Sequence, residues 1–169
     1  MRSPAAALLL SVSLLSIPFA GPISADQVED ADASRQRGND SALYRLIQPL
    51  AEDGDALAQY NLCLLYQQGA EVPQDNTMAA KWCRRAAEQG DALAQYNLGA
   101  MYFQGEGVPQ DDVLAHMWSN IAASRFPATD AEERKLAEQS RNSTASRMTP
   151  AQIADAQRLA REWKSKEER

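Results

Sequence analysis

Histidine is nearly absent from this chain: the 169 residues contain one, His116, and only two cysteines, Cys63 and Cys83. A catalytic histidine needs positioned partners. His116 sits between Ala115 and Met117, beside Trp118, and reads as a packed helical side chain. No pair of cysteines or histidines has zinc-ligand spacing, and no nucleophile–base constellation stands out. No metal, no cofactor and no enzyme activity are therefore expected. Two cysteines are too few to form the whole framework of a small exported domain. Basic charge is scarce as well, with 17 Lys and Arg against 23 Asp and Glu and a net charge of −6. Without a basic stripe the chain is repelled by phosphate backbones, so nucleic acid is excluded as a partner. Gly105-Glu106-Gly107 lacks the following Lys-Ser/Thr of a phosphate loop and follows no strand, so it reads as a turn.

Long apolar runs are missing too, apart from Ala5 to Ala20, which Pro18 interrupts. Arg2 precedes it and Ile23-Ser24-Ala25 follows it, the pattern of a secretory signal peptide cut after Ala25. The run is too short to span a bilayer, and no charged stop-transfer follows it to support the competing reading, an uncut anchor. The expectation is a periplasmic or secreted protein with no membrane insertion once the signal is removed.

Repetition is what the chain has in quantity. Gly54-Asp55-Ala56-Leu57-Ala58-Gln59-Tyr60-Asn61-Leu62 recurs letter for letter from Gly90 to Leu98, and over 54–89 against 90–125 the two stretches agree at 20 of 36 positions. A fixed period of this size marks stacked supersecondary units, none able to bury its own apolar face. Gly54, Gly69, Gly90 and Gly105 follow helix-length segments, and Asp55, Asp75, Asp91 and Asp111 open them, as caps at either end. Helices are expected at about 56–68, 76–89, 92–104 and 112–124. Ala58, Leu62, Cys63 and Tyr66 form the inward face of the first, and Ala79, Trp82, Cys83 and Ala86 that of the second. Small residues at Cys63/Gly99 and Ala79/Ala115 let paired helices approach closely.

The flanks are weaker copies. Residues 39–53 align with a second helix of the unit, with Pro49 kinking its last turn, and residues 28–37 offer a short partner. After Arg125 the period is lost. Thr129-Asp130-Ala131-Glu132 reads as a capping box opening a helix to about 146, and Thr149-Pro150-Ala151-Gln152 opens another. Ile153, Ala156, Leu159, Ala160 and Trp163 give the latter an apolar stripe. The organisation is then a signal peptide at 1–25, a worn unit at 26–53, full units at 54–89 and 90–125, and two capping helices at 126–169.

The pattern Gly-Asp-Ala-x-Ala-Gln-Tyr-Asn-Leu-Gly-x-x-Tyr-x-x-Gly-x-Gly-Val-Pro-Gln-Asp, followed by Ala, Trp and Ala-Ala, resembles the Sel-1-like repeat, a tetratricopeptide-like helix pair. The second copy carries it with Gly99, Gly105, Gly107, Val108 and Trp118, and the first departs at Cys63 and Glu71. The resemblance implies an all-α, antiparallel helix-pair solenoid and adaptor or assembly roles, and it leaves the pathway open. Arg147-Met148-Thr149-Pro150-Ala151-Gln152-Ile153 to Trp163 looks like the closing helix of exported members. The function it suggests is a non-enzymatic scaffold that binds a protein or peptide on its concave face. Alternatives are a structural envelope-complex subunit, or a β-lactam-binding or hydrolysing enzyme like cysteine-rich relatives. Those relatives carry cysteine pairs that join successive units, which this chain lacks.

The candidate groove is a stripe on the first helix of each unit: Leu57, Tyr60, Leu64 and Gln67, then Leu93, Tyr96, Ala100 and Phe103. Tyrosine suits a groove, with its apolar ring and polar tip. The same stripe also reads as core between adjacent units, since helical spacing marks burial first. Cys63 and Cys83 centre on residue 73 and the hairpin loop on 72, so antiparallel helices set the two nearly level, as a disulfide requires. Two reduced thiols filling the core are the alternative.

Overall fold

Every helix of the repeated region opens on an aspartate whose carboxylate takes up a free backbone amide. Asp55, Asp75, Asp91 and Asp111 accept from the amides of Ala58, Met78, Ala94 and Leu114 at 2.7–2.9 Å. The computed structural model describes residues 42–69 and 72–165; the expected signal peptide and the expected helix at 28–37 lie outside them. The described residues form helices only: α1 (Ala42–Glu52), α2 (Ala56–Gln68), α3 (Asn76–Gln89), α4 (Ala92–Gln104), α5 (Asp112–Arg125), α6 (Ala131–Ala145) and α7 (Pro150–Glu162). Gly69, Gly90 and Gly105 end α2, α3 and α4 in the left-handed region, at φ of 63°, 106° and 74°. The α2–α3 and α4–α5 pairs are the two full units, and each successive helix packs on the one before it, from α1 to α6. This is an all-α helical-repeat solenoid.

The helices of a unit come closest at one level, and the two units solve that contact differently. In the first, Cys63 and Cys83 form a disulfide with Cα atoms 5.1 Å apart. In the second, the equivalent positions are Gly99 and Ser119, and a β-carbon on Gly99 would lie 2.8 Å from the Ser119 hydroxyl. One unit thus locks the crossing covalently and the other packs a hydroxyl into the space left by glycine.

The letters shared by the units make the same bonds twice. Gln59 and Gln95, both buried, donate from Nε2 to the carbonyls of Ala51 and Ala87, in the last turn of the preceding helix. Gln74 and Gln110 donate to the carbonyls of Gln67 and Phe103, and the amides of Asp75 and Asp111 donate to those of Tyr66 and Tyr102. The Val-Pro-Gln-Asp segment is therefore a bracket that satisfies the open carbonyls at the end of each first helix.

Pro49 sits inside the last turn of α1. The flanking helices depart from expectation in two places. Thr129 does not open a capping box: α6 starts at Ala131 with Asp130 as its cap residue and no side-chain capping bond, because the Thr129 hydroxyl donates to the Asp130 carboxylate instead. The two C-terminal helices do not both cap the end of the stack. α6 covers the end of the stack, where Ala137 packs against Ala122, Ala123 and Phe126, while α7 packs along another face of α5, with Trp163 edge-on to Trp118 at 5.7 Å. The capping box at Thr149 and Gln152 is present.

Removing the disulfide leaves helices intact but frees the unfolded chain. Urea midpoints of oxidised and dithiothreitol-treated protein should differ by about 3 kcal/mol in stability; two titratable thiols in the unreduced, denatured chain would contradict the bond. Gly107, at φ 69°, has no room for a β-carbon, which would overlap the carbonyl of Asn76 at the start of α3. Gly107→Ala should cost about 2 kcal/mol or more by the same assay, whereas an unchanged midpoint would show that the loop does not seat on α3.

Candidate partner-binding surface

Positions 57, 61, 64 and 68 share one face of α2, where Leu57, 56% exposed, and Gln68 are open. Asn61 and Leu64 are half-buried below it. On α4 the corresponding face carries Leu93, Asn97 and Ala100, all half-buried. Asn97 reaches across to α2 and donates to the Tyr60 hydroxyl at 3.4 Å. The two first helices thus present one strip of leucine, alanine and asparagine.

Tyr60 belongs beneath that strip and not on it. It is 7% exposed and packs with Leu98 and Tyr102 in the core between the units. Burial, with the Asp91 carboxylate nearby, pushes its phenol up to about 12. The reason is register: position 60 points at the following first helix, so α4 covers it. Tyr96 has the same place one unit later, and there α6 stands in for the next first helix. Tyr96 packs against the cluster of Ala122, Ala123, Phe126 and Ala137, stays half-buried, and burial raises its phenol as well.

Leu57 and Leu93 are equivalent in sequence and unequal in exposure. After the first unit the chain turns at once through Gly90 and Asp91. After the second it continues through Phe126, whose buried ring packs with Leu93. Of the remaining positions of the expected stripe, Gln67 is half-buried, and its backbone carbonyl is tied to Gln74 in the loop bracket. Phe103 lies under the Arg147 guanidinium, 4.0 Å from the ring centroid, and Arg147 also pairs with Asp112. Asn61 and Asn97 were not picked out from the sequence as lining residues, although they recur within the longest identical stretch.

His116 is 3% exposed. Burial lowers its pKa, and the Arg141 charge lowers it further. Its Nδ1 has no hydrogen-bond partner. Among the described residues no group of three His, Cys, Asp or Glu could hold a metal ion, and no helix is long and apolar enough to cross a membrane. The Cys63–Cys83 bond lies within one unit and does not join two.

Sel1 repeats match residues 56–91 and 92–125. A protective antigen of uropathogenic Escherichia coli, described as displaying an SLR fold, superposes with a TM-score of 0.65 at 29% identity over 81% of this chain. This chain spans 29% of that antigen's length. A Sel1 repeat protein from Oxalobacter formigenes superposes at 31% identity with a TM-score of 0.50, over 65% of this chain and 88% of that one. No curated protein matches the chain. Two matched repeats, a solenoid of paired helices and this likeness over most of a Sel1 repeat protein settle the kinship: the chain belongs to the Sel1 repeat family.

Proposed function

We propose that this protein is an exported, non-enzymatic scaffold that binds a protein or peptide along the strip formed by α2 and α4. The observation that carries the reading is the strip itself: an exposed Leu57 continued by Leu64, Leu93 and Ala100, with Asn61 and Asn97 supplying amides between them. Exposed and half-buried apolar side chains beside hydrogen-bonding amides suit an extended or helical peptide, which needs both area and registration. The repeat family supports an interaction role in general. Export is supported by the signal-peptide pattern ahead of residue 26 and by the disulfide, which persists in oxidising compartments.

Two substitutions separate surface from core. Leu57→Asp with Leu64→Asp should weaken capture of the partner by about thirtyfold or more, the cost of losing a true anchor, with helical circular dichroism preserved. Tyr60→Ala should instead act on the fold, lowering stability by about 3–5 kcal/mol, as removal of a buried aromatic ring does. The capture assay uses photo-crosslinking from position 57 in cells, with exposed Glu132 as the control position. Equal adducts at both positions, or capture that survives the aspartates, would overturn the reading.

A further inference from the structure

Contrary to the expectation of no basic stripe, the outer face of α3 is cationic in a chain that is acidic overall. Lys81, Arg84 and Arg85 are all exposed there, on consecutive turns. With Thr77, Glu88 and Gly107 they line a cavity of about 360 Å3 between α3 and the α4–α5 loop. The guanidiniums are held in place by rings. Arg84 donates to the Tyr102 hydroxyl at 2.5 Å and lies 5.8 Å from that ring's centroid; Arg85 stacks over Trp82 at 4.7 Å. A side chain already fixed by stacking loses less entropy on meeting an anion. Arg84 spends one of its donors on Tyr102 and keeps the rest, and Glu88 bounds the site with one carboxylate.

The sequence holds a segment of opposite sign close by. Residues 26–32 carry Asp26, Glu29, Asp30 and Asp32 and no basic side chain, whereas Arg35 and Arg37 come after. We propose that this acidic segment seats in cis on the Lys81–Arg84–Arg85 groove. The chain enters α1 at the right end of the molecule. The Tyr44 hydroxyl, in the first turn of α1, lies 3.1 Å from that of Tyr66 near the end of α2, and α3 starts from that same end. From α1 to α3 is two helix spacings, about 20 Å at 8–10 Å each. The nine residues between Asp32 and Ala42 reach about 30 Å at full extension and about 20 Å with 33–37 in the helix expected from the sequence, so the connection spans the gap in either form. Tethering then makes even modest ion pairs count, since the local concentration of the segment is set by this short connection. The inference is independent of the strip on α2 and α4, which lies on other helices.

Zero-length carbodiimide coupling of the protein without its signal peptide tests this directly, because it joins a carboxylate to an amine only where the two already touch. The expected product is an intramolecular amide between Lys81 and a carboxylate of residues 26–32, found in the monomer band by peptide mapping. It should disappear at about 1 M salt, where the screening length falls to about 3 Å. It should also be lost in the Arg84→Ala, Arg85→Ala variant, whose Lys81 still reacts with a free amine-specific reagent and whose circular dichroism is unchanged. Lys81 coupled only to Glu88 would overturn the proposal. So would the same amide found only in cross-linked dimers, since it would place a second copy's segment in the groove.

Discussion

Each unit of this solenoid is tied to its predecessor by a glutamine buried at the seam. Gln59 and Gln95 reach from the first turn of α2 and α4 to the last turn of α1 and α3. A buried amide that finds no partner costs free energy, and a glutamine here can be satisfied only when the two helices meet at one angle and one height. Hydrophobic packing alone tolerates sliding; this bond does not. The alanines around it, Ala51, Ala58, Ala86, Ala87 and Ala94, are fully or nearly fully buried, and their small size lets the backbone carbonyl come within reach. Gln89 extends the first seam, donating to the Gly54 carbonyl and to Gln59 Oε1. In the second seam Arg125 takes the place of Gln89, and Gln95 Oε1 is left without a partner.

Fixed stacking explains how the surface arises. Because the seam sets the angle, positions three and four apart on successive first helices line up: 57, 61 and 64 with 93, 97 and 100. The same geometry turns Tyr60 inward against α4. The ends of the stack then decide what stays open. At the C-terminal end α6 and Phe126 cover Tyr96 and part of Leu93, and Arg147 covers Phe103. Among the described residues nothing comparable covers Leu57 in the first unit. Two identical motifs therefore contribute unequally to the open strip, through their neighbours and not through their own residues.

The fold was legible in the letters because it is built from short-range signals. An aspartate at each helix start and a glycine at three of the ends are local devices, and the helices of the two units fall where those signals put them, with α5 reaching Arg125 instead of stopping at 124. The level of Cys63 with Cys83 was legible for the same reason, since an antiparallel hairpin fixes it by counting. The stripe was legible only as a stripe. Whether Tyr60 faces a ligand or the next helix depends on the turn between units and the packing angle, and neither is a property of α2 alone. The role of Gln59 and Gln95 was hidden for a related reason. A polar residue in a helix reads as surface until the carbonyl it serves is seen. The placement of α7 on α5, away from α6, rests on long-range contact between Trp118 and Trp163 that periodicity does not carry.

The seam is the central claim, and it is tested most directly by replacing its glutamines with methionine, similar in length and without hydrogen-bonding groups. Gln59 exchanges two bonds, with Ala51 and Gln89, while Gln95 makes one and has an unpartnered oxygen to lose. Equilibrium urea unfolding should therefore show a loss of about 2 kcal/mol for Gln59→Met, at roughly 1 kcal/mol per bond, and a clearly smaller loss for Gln95→Met. A Gln59→Met protein that unfolds at the same urea concentration as the parent would contradict the account, because the units would then be held together by apolar packing alone.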